Sequence, residues 1–116
     1  MINDQLIYVA HPFGGNKANK YSIDTIMENL VMLDKNNTYL SPLHNFSMLY
    51  FDTQYSKGLK ICLDMLNRCD ELVLCGDWET SKGCIGEWSF AIAKGMPIYT
   101  WKEWTDKLKE QGDNSR

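Results

Sequence analysis

Two short, nearly continuous apolar runs, Leu6-Ile7-Tyr8-Val9-Ala10 and Glu71-Leu72-Val73-Leu74-Cys75, constrain this chain more than any other feature. A strand with one face in water alternates apolar and polar residues. A run that is apolar on both faces belongs to a strand covered from both sides, which is the condition inside a parallel α/β sheet. The segments around these runs carry the complementary helical period. Ile23, Ile26, Met27, Leu30 and Val31 predict a helix with Asn19 as its cap and Asn36-Asn37 at its exit. A brief second strand, Thr38-Tyr39-Leu40-Ser41, ends at Pro42, and Leu59, Cys62, Leu63 and Leu66 predict a second helix ending at Arg68. Gly76 stops the third strand. A polar loop then leads into a helix that runs to about Lys94, with Gly95 as its stop. Met96-Pro97-Ile98-Tyr99 is a fourth strand, and residues 102–111 predict a short closing helix docked through Trp101 and Trp104, with 111–116 expected to fray.

Strands that alternate with helices join through right-handed crossovers. The order therefore predicts a three-layer, Rossmann-like or flavodoxin-like α/β domain, its parallel sheet holding four to five strands. At 116 residues, 44% hydrophobic and 23% charged, the chain fits one domain spanning 1–116 and can bury a core without staples. A net charge of −3 excludes a partner recognised through its phosphate backbone, so no nucleic acid is expected. No apolar run approaches the roughly 20 residues of a membrane span, and Met1-Ile2-Asn3-Asp4-Gln5 lacks a leader pattern, so the expected location is cytoplasmic. Cysteines 62, 69, 75 and 84 form no Cys-x-x-Cys pair, which predicts reduced, mostly buried thiols and no metal or other cofactor. Cys84 stands apart because it lies near a helix start, where thiol acidity can rise.

Ligands of such sheets bind beyond the carboxyl ends of the strands. That rule selects the loops 11–19, 42–54 and 76–83, the second of which is expected to be a long loop over the site. In His11-Pro12-Phe13-Gly14-Gly15-Asn16 the paired glycines allow a ligand close to the backbone, although a plain turn accounts for them equally, and the Gly-Lys-Ser/Thr ending of a Walker loop is missing. Ser81 can cap the helix that follows or hold a phosphate with the next backbone amides. Glu87 falls at the edge of the stripe of Cys84, Trp88 and Ala91, so it is either an ordinary surface glutamate or a half-desolvated, reactive one. Asp77 and Trp78 directly follow the third strand, where Trp78 can stack on a base or lie as a lid on Trp88.

Taken together, Ile7-Tyr8-Val9-Ala10 with Phe13-Gly14-Gly15 and Asn19, then Cys69-Asp70-Glu71-Leu72-Val73-Leu74, then Ser81-x-Gly83-x-x-x-Glu87 with Ala91 and Gly95-Met96-Pro97 resemble the nucleoside 2-deoxyribosyltransferase-like superfamily from Leu6 to about Tyr99. Its members include nucleotide N-glycosidases and small phage and bacterial proteins. The resemblance implies that Glu87 attacks the anomeric carbon, forming a glycosyl-enzyme that water or a second base intercepts. It implies ligand contacts at Gly14, Gly15, His44 and Ser81, and with them Tyr8, Ala10, His11, Pro12, Phe13, Asn19, Trp78 and Gly83 are expected to line the ligand. A serine at position 81 matches the branch that binds a 5′-phosphate, where the transferases carry an aspartate. The resemblance also implies a homodimer or higher homo-oligomer.

One departure stands out. Catalytic members carry an aspartate eight positions before the one that opens the third strand, and counting back from Asp70 reaches Cys62. Asp64 lies far around the helix from its apolar stripe and is expected to face solvent, leaving Asp77 as a candidate substitute. Three functions fit. One is an N-glycosidase or deoxyribosyltransferase acting on a (deoxy)nucleoside 5′-monophosphate. The second is a non-catalytic, phage-type binder (in the host cytoplasm) that sequesters a nucleotide-derived signal. The third is a structural or interaction protein that keeps the fold without the site.

Overall fold

A computed structural model of the chain describes residues 4–12, 17–42 and 55–114. Its elements run β1 (Leu6–Ala10), α1 (Lys17–Leu33), β2 (Thr38–Leu40), α2 (Tyr55–Asn67), β3 (Glu71–Leu74), a 3-10 turn (Trp78–Thr80), α3 (Lys82–Lys94), β4 (Ile98–Thr100) and α4 (Trp101–Asn114). The four strands pair in the order β2-β1-β3-β4, all parallel, with Tyr8 opposite Leu40 on one side and Leu72 on the other. The Rossmann-like architecture follows from the alternation of elements, and among the described residues the sheet holds four strands, the lower of the two expected counts.

Successive strand residues point to opposite faces, so each central strand feeds two cores. Tyr8, Ala10, Leu72 and Leu74 join Leu66, Cys84, Ala91 and Met96 under α2 and α3. Ile7, Val9, Val73 and Cys75 join Ile23, Leu30, Trp104 and Leu108 under α1 and α4. Ile7, Val9, Leu72 and Val73 are fully buried. Burying each such side chain contributes roughly 1.5–3 kcal/mol, which is why the central strands are apolar on both faces. β1 has neighbours on both sides and its flanking helices lie on opposite faces. The crevice beyond the carboxyl ends of β1 and β3 is therefore the topological switch point. There the Cys75 amide donates to the Ala10 carbonyl at 2.9 Å, carrying the pairing one residue past the strand.

Several boundaries differ from expectation, each for a local reason. α1 starts at Lys17, so Asn19 stands in its first turn and does not cap it. α2 begins at Tyr55, earlier than its apolar stripe marks. β4 starts at Ile98 because Met96 completes the end of α3: Gly95 has φ +77°, its amide reaches the Ile92 carbonyl, and the Met96 amide reaches the Ala91 carbonyl. α4 opens earlier than expected because Thr100 and Glu103 form a capping box. The Glu103 amide donates to Thr100 Oγ1 at 3.2 Å, and the Thr100 amide donates to Glu103 Oε1 at 2.8 Å. It also continues to Asn114, so 112–114 extend a helix where fraying was expected. The expected loop over residues 43–54 lies outside the described residues.

Candidate active site

Three elements bring one polar group each to a single point under the sheet. Tyr8 in mid-β1 points toward α3, Glu87 sits in the second turn of α3, and Cys62 projects from α2. The Tyr8 hydroxyl donates to Glu87 Oε2, and the Cys62 thiol lies beside the same hydroxyl. Glu87 is 6% exposed, so of the two readings open from sequence the surface glutamate is excluded. Burial pushes its carboxyl up to about 7, and the Tyr8 hydrogen bond, which favours the ionised form, opposes this only in part. Burial first, and then the Glu87 charge, raise the Tyr8 phenol well above its usual range.

The same two causes act on the neighbouring thiols. Cys62 is pushed up to about 11, and Cys84, one turn before Glu87, to about 12. Of the two readings of Cys84, a buried inert thiol and one made acidic by the helix start, the first holds. Desolvation and a nearby carboxylate both disfavour the thiolate and outweigh the helix dipole. All four cysteines are free, Cys62 being half-buried and the others buried. Asp64 is exposed and pairs with Lys60 at 3.3 Å, so Cys62, not Asp64, faces Glu87.

Ser81 caps α3: its backbone is extended and its Oγ accepts from the Cys84 amide at 3.2 Å. Gly83 follows in the first turn, one residue after the start of the helix. Trp78, in the 3-10 turn, lies 6.0 Å from Trp88 at 40° between ring planes, as a partner of that ring. Asp77 opens the turn. It is exposed, and its carbonyl accepts from the Thr80 amide and hydroxyl at 3.0 and 2.8 Å.

On the far side of the crevice His11 is buried at the end of β1 beside half-buried Pro12. Its Nδ1 lies 2.7 Å from the Pro12 carbonyl and its Nε2 3.1 Å from Ser22 Oγ. A carbonyl only accepts, so Nδ1 carries the proton and, in the neutral ring, Nε2 accepts from the serine. Gly76, at φ +62°, packs on the face of this ring, and a Cβ there would lie 2.9 Å from Nε2. Ala10 offers its carbonyl to the floor through Cys75. Phe13, Gly14, Gly15 and His44 lie outside the described residues.

Ser22 and Gly76 were not singled out from sequence as site residues. A lone serine on a helix carries no signal. Gly76 carries one, since it stops the third strand and opens the loop 76–83 on the ligand side.

Residues 5–100 match a family described as a domain of unknown function, DUF4406. The chain belongs to this family. No functionally curated protein matches the DUF4406 chain. Among solved structures it is similar to a 2-deoxyribosyltransferase of the psychrotolerant bacterium Bacillus psychrosaccharolyticus, described as a biocatalyst for the synthesis of antiviral and antitumoral nucleosides. The two are 21% identical with a TM-score of 0.64, over 82% of this chain and 70% of that one. It is also similar to a conserved protein from Enterococcus faecalis V583, at 22% identity and a TM-score of 0.66, over 84% of this chain and 62% of the other. The DUF4406 chain thus spans less than two thirds of the Enterococcus protein. These likenesses establish a nucleoside 2-deoxyribosyltransferase-like fold.

Among the described residues of the DUF4406 chain, no helix is long and apolar enough to cross a membrane.

Proposed function

We propose that this protein cleaves or transfers at the N-glycosidic bond of a (deoxy)nucleoside 5′-monophosphate, with Glu87 as nucleophile. The observation that carries this reading is a carboxyl buried beneath the ligand crevice of its fold and held by a phenol donor, Tyr8. A nucleophile must be ionised, poorly hydrated and held in one orientation; the hydrogen bond from Tyr8 serves the first and third needs and burial the second. In the proposed step Glu87 attacks C1′ and the C1′–N bond breaks. Water or a second base then opens the resulting glycosyl ester.

The 5′-phosphate is placed at the start of α3, where Ser81 and the amides of the first turn offer donors to an anion. The printed name of the Bacillus relative supports nucleoside chemistry on this fold. The test is incubation with a panel of nucleoside 5′-monophosphates, following free base by chromatography. Glu87→Ala should lose at least about 100-fold in release, as removal of a nucleophile does. Equal release by the variant would refute the role.

Cys62 favours a second reading. A thiol raised to about 11 stands next to Tyr8 and Glu87, so a neutral group occupies a place where a second carboxyl could serve acid–base chemistry. A site of this kind can bind a nucleotide-derived molecule without turning it over. Calorimetry showing nucleotide binding, with no base released over hours, would select this reading.

A further inference from the structure

If Glu87 is the nucleophile proposed above, the groups around its carboxyl bear on which base it releases. Those groups are the Tyr8 phenol, which donates to it, and the uncharged thiols of Cys62 and Cys84, both close enough to feel its charge. Among the described residues, no lysine or arginine acts on the Glu87 carboxyl; burial and the Tyr8 hydrogen bond alone move it. A buried carboxylate lined by neutral groups is short of a cation. The same apolar cluster that holds Tyr8 and Cys84 is flanked by Trp78 and Trp88, both half-buried with rings 6.0 Å apart, and the turn carrying Trp78 packs directly on α3. Indole faces attract cations, so this cluster offers an organic cation two kinds of partner, a buried carboxylate and a pair of indoles.

We propose that the base in this site is itself cationic: an N-glycosyl pyridinium, whose ring nitrogen bears the positive charge at its bond to C1′. The chemistry suits the residues present. A purine or pyrimidine leaves as an anion unless an acid protonates it, whereas a pyridinium leaves as a neutral pyridine. Glu87 Oε attacks C1′ and forms an ester bond. The C1′–N bond breaks, its electron pair stays on the ring nitrogen and cancels the charge there, and no proton is needed. Water then attacks C1′, the ester oxygen leaves with its electron pair to restore the carboxylate, and one proton passes to solvent. The charges of nucleophile and leaving group cancel in the first step, so the neutral lining of Tyr8, Cys62 and Cys84 favours that step.

The experiment compares nicotinamide mononucleotide with adenosine and uridine 5′-monophosphates for base release. By calorimetry it then compares nicotinamide mononucleotide with its dihydronicotinamide counterpart, which has nearly the same shape but lacks the charge. Nicotinamide should be released about 100-fold faster than adenine or uracil, as expected for one charge pair at short range in a partly screened site. The oxidised nucleotide should bind at least about 10-fold tighter than the dihydro form, and Glu87→Gln should close that gap. Adenine or uracil released as fast as nicotinamide, or equal binding of the two nicotinamide forms to the unmodified protein, overturns the proposal. Release of no base from any nucleotide instead refutes Glu87 as nucleophile, and the calorimetric comparison then decides by itself whether the site selects a cation.

Discussion

The hydroxyl of Tyr8 and the carboxyl of Glu87, 79 residues apart in the chain, form a buried donor–acceptor pair between the central strand and α3. Glu87 is desolvated enough for its carboxyl to titrate near 7, and Tyr8 keeps it from rising further. The ionisation of the proposed nucleophile therefore depends on one hydroxyl.

Tyr8→Phe removes that hydroxyl and little else. Base release by the unmodified protein should increase with pH through about 7, as Glu87 loses its proton. In the variant this limb should move to higher pH, because the one hydrogen bond to the carboxylate found among the described residues is gone. A hydrogen bond to a charged group is worth about 1.5–3 kcal/mol, so the loss at pH 7 should be about 10-fold or more and should shrink toward pH 9. A pH–rate profile that merely drops, without moving, would contradict this.

Glu87→Gln should stabilise the protein at alkaline pH while abolishing turnover. The folded carboxyl titrates at about 7 against a usual 4.5. The native state therefore holds its proton more tightly than the unfolded chain does. The favourable contribution of Glu87 is complete below about 4.5 and is lost as pH rises through about 7. The cost above that point is on the order of 3 kcal/mol, which a neutral glutamine avoids. Melting curves at pH 5 and pH 8.5 should show the variant gaining stability relative to the unmodified protein only at the higher pH.

Gly76→Ala and Gly95→Ala separate backbone strain from collision. Both glycines have positive φ, +62° and +77°, but a Cβ at 95 meets nothing within 4 Å, whereas one at 76 lies 2.9 Å from His11 Nε2. Gly95→Ala should cost about 1 kcal/mol, and Gly76→Ala about 2–4 kcal/mol because the His11 ring must also move. Denaturant midpoints measure the difference. Equal losses would mean that the His11 ring yields freely.

Tyr39→Phe tests the opposite end of the sheet. The Tyr39 hydroxyl donates to buried Asp34 Oδ2 at 2.5 Å and accepts from Trp104 Nε1 at 3.0 Å, which ties the exit of α1 to β2 and α4. Removing it leaves the buried indole N–H of Trp104 without this acceptor and takes one of three donors from Asp34, whose others are the Asn36 amide and Asn37 Nδ2. The expected loss is about 1–3 kcal/mol, read from thermal or urea unfolding, with base release unchanged at 25 °C.

Much of the fold is legible from local pattern. Both-faced apolar runs select buried parallel strands, and the period of Ile23, Ile26, Met27 and Leu30 selects a helix that covers one face. Even the capping box of Thr100 and Glu103 and the Gly95 stop are written in short spacings. The closing helix nevertheless starts one residue before the expected 102 and runs three past the expected 111. The candidate site is only half legible. The position of its proposed nucleophile and the departure at Cys62 follow from the family resemblance, and its capping serine from local spacing.

By itself, then, the sequence determined the layer order, the side on which ligands must sit and the odd placement of Glu87 at the edge of an apolar stripe. Only the tertiary structure decided how deep that carboxyl lies, that Tyr8 donates to it, that Cys62 and not Asp64 faces it, and that Gly76 packs on His11 with Ser22 behind. The physical reason is range. Periodicity and capping are interactions between residues a few positions apart. Desolvation and the hydrogen bond between Tyr8 and Glu87 exist only after β1, α2 and α3 have closed around the same point.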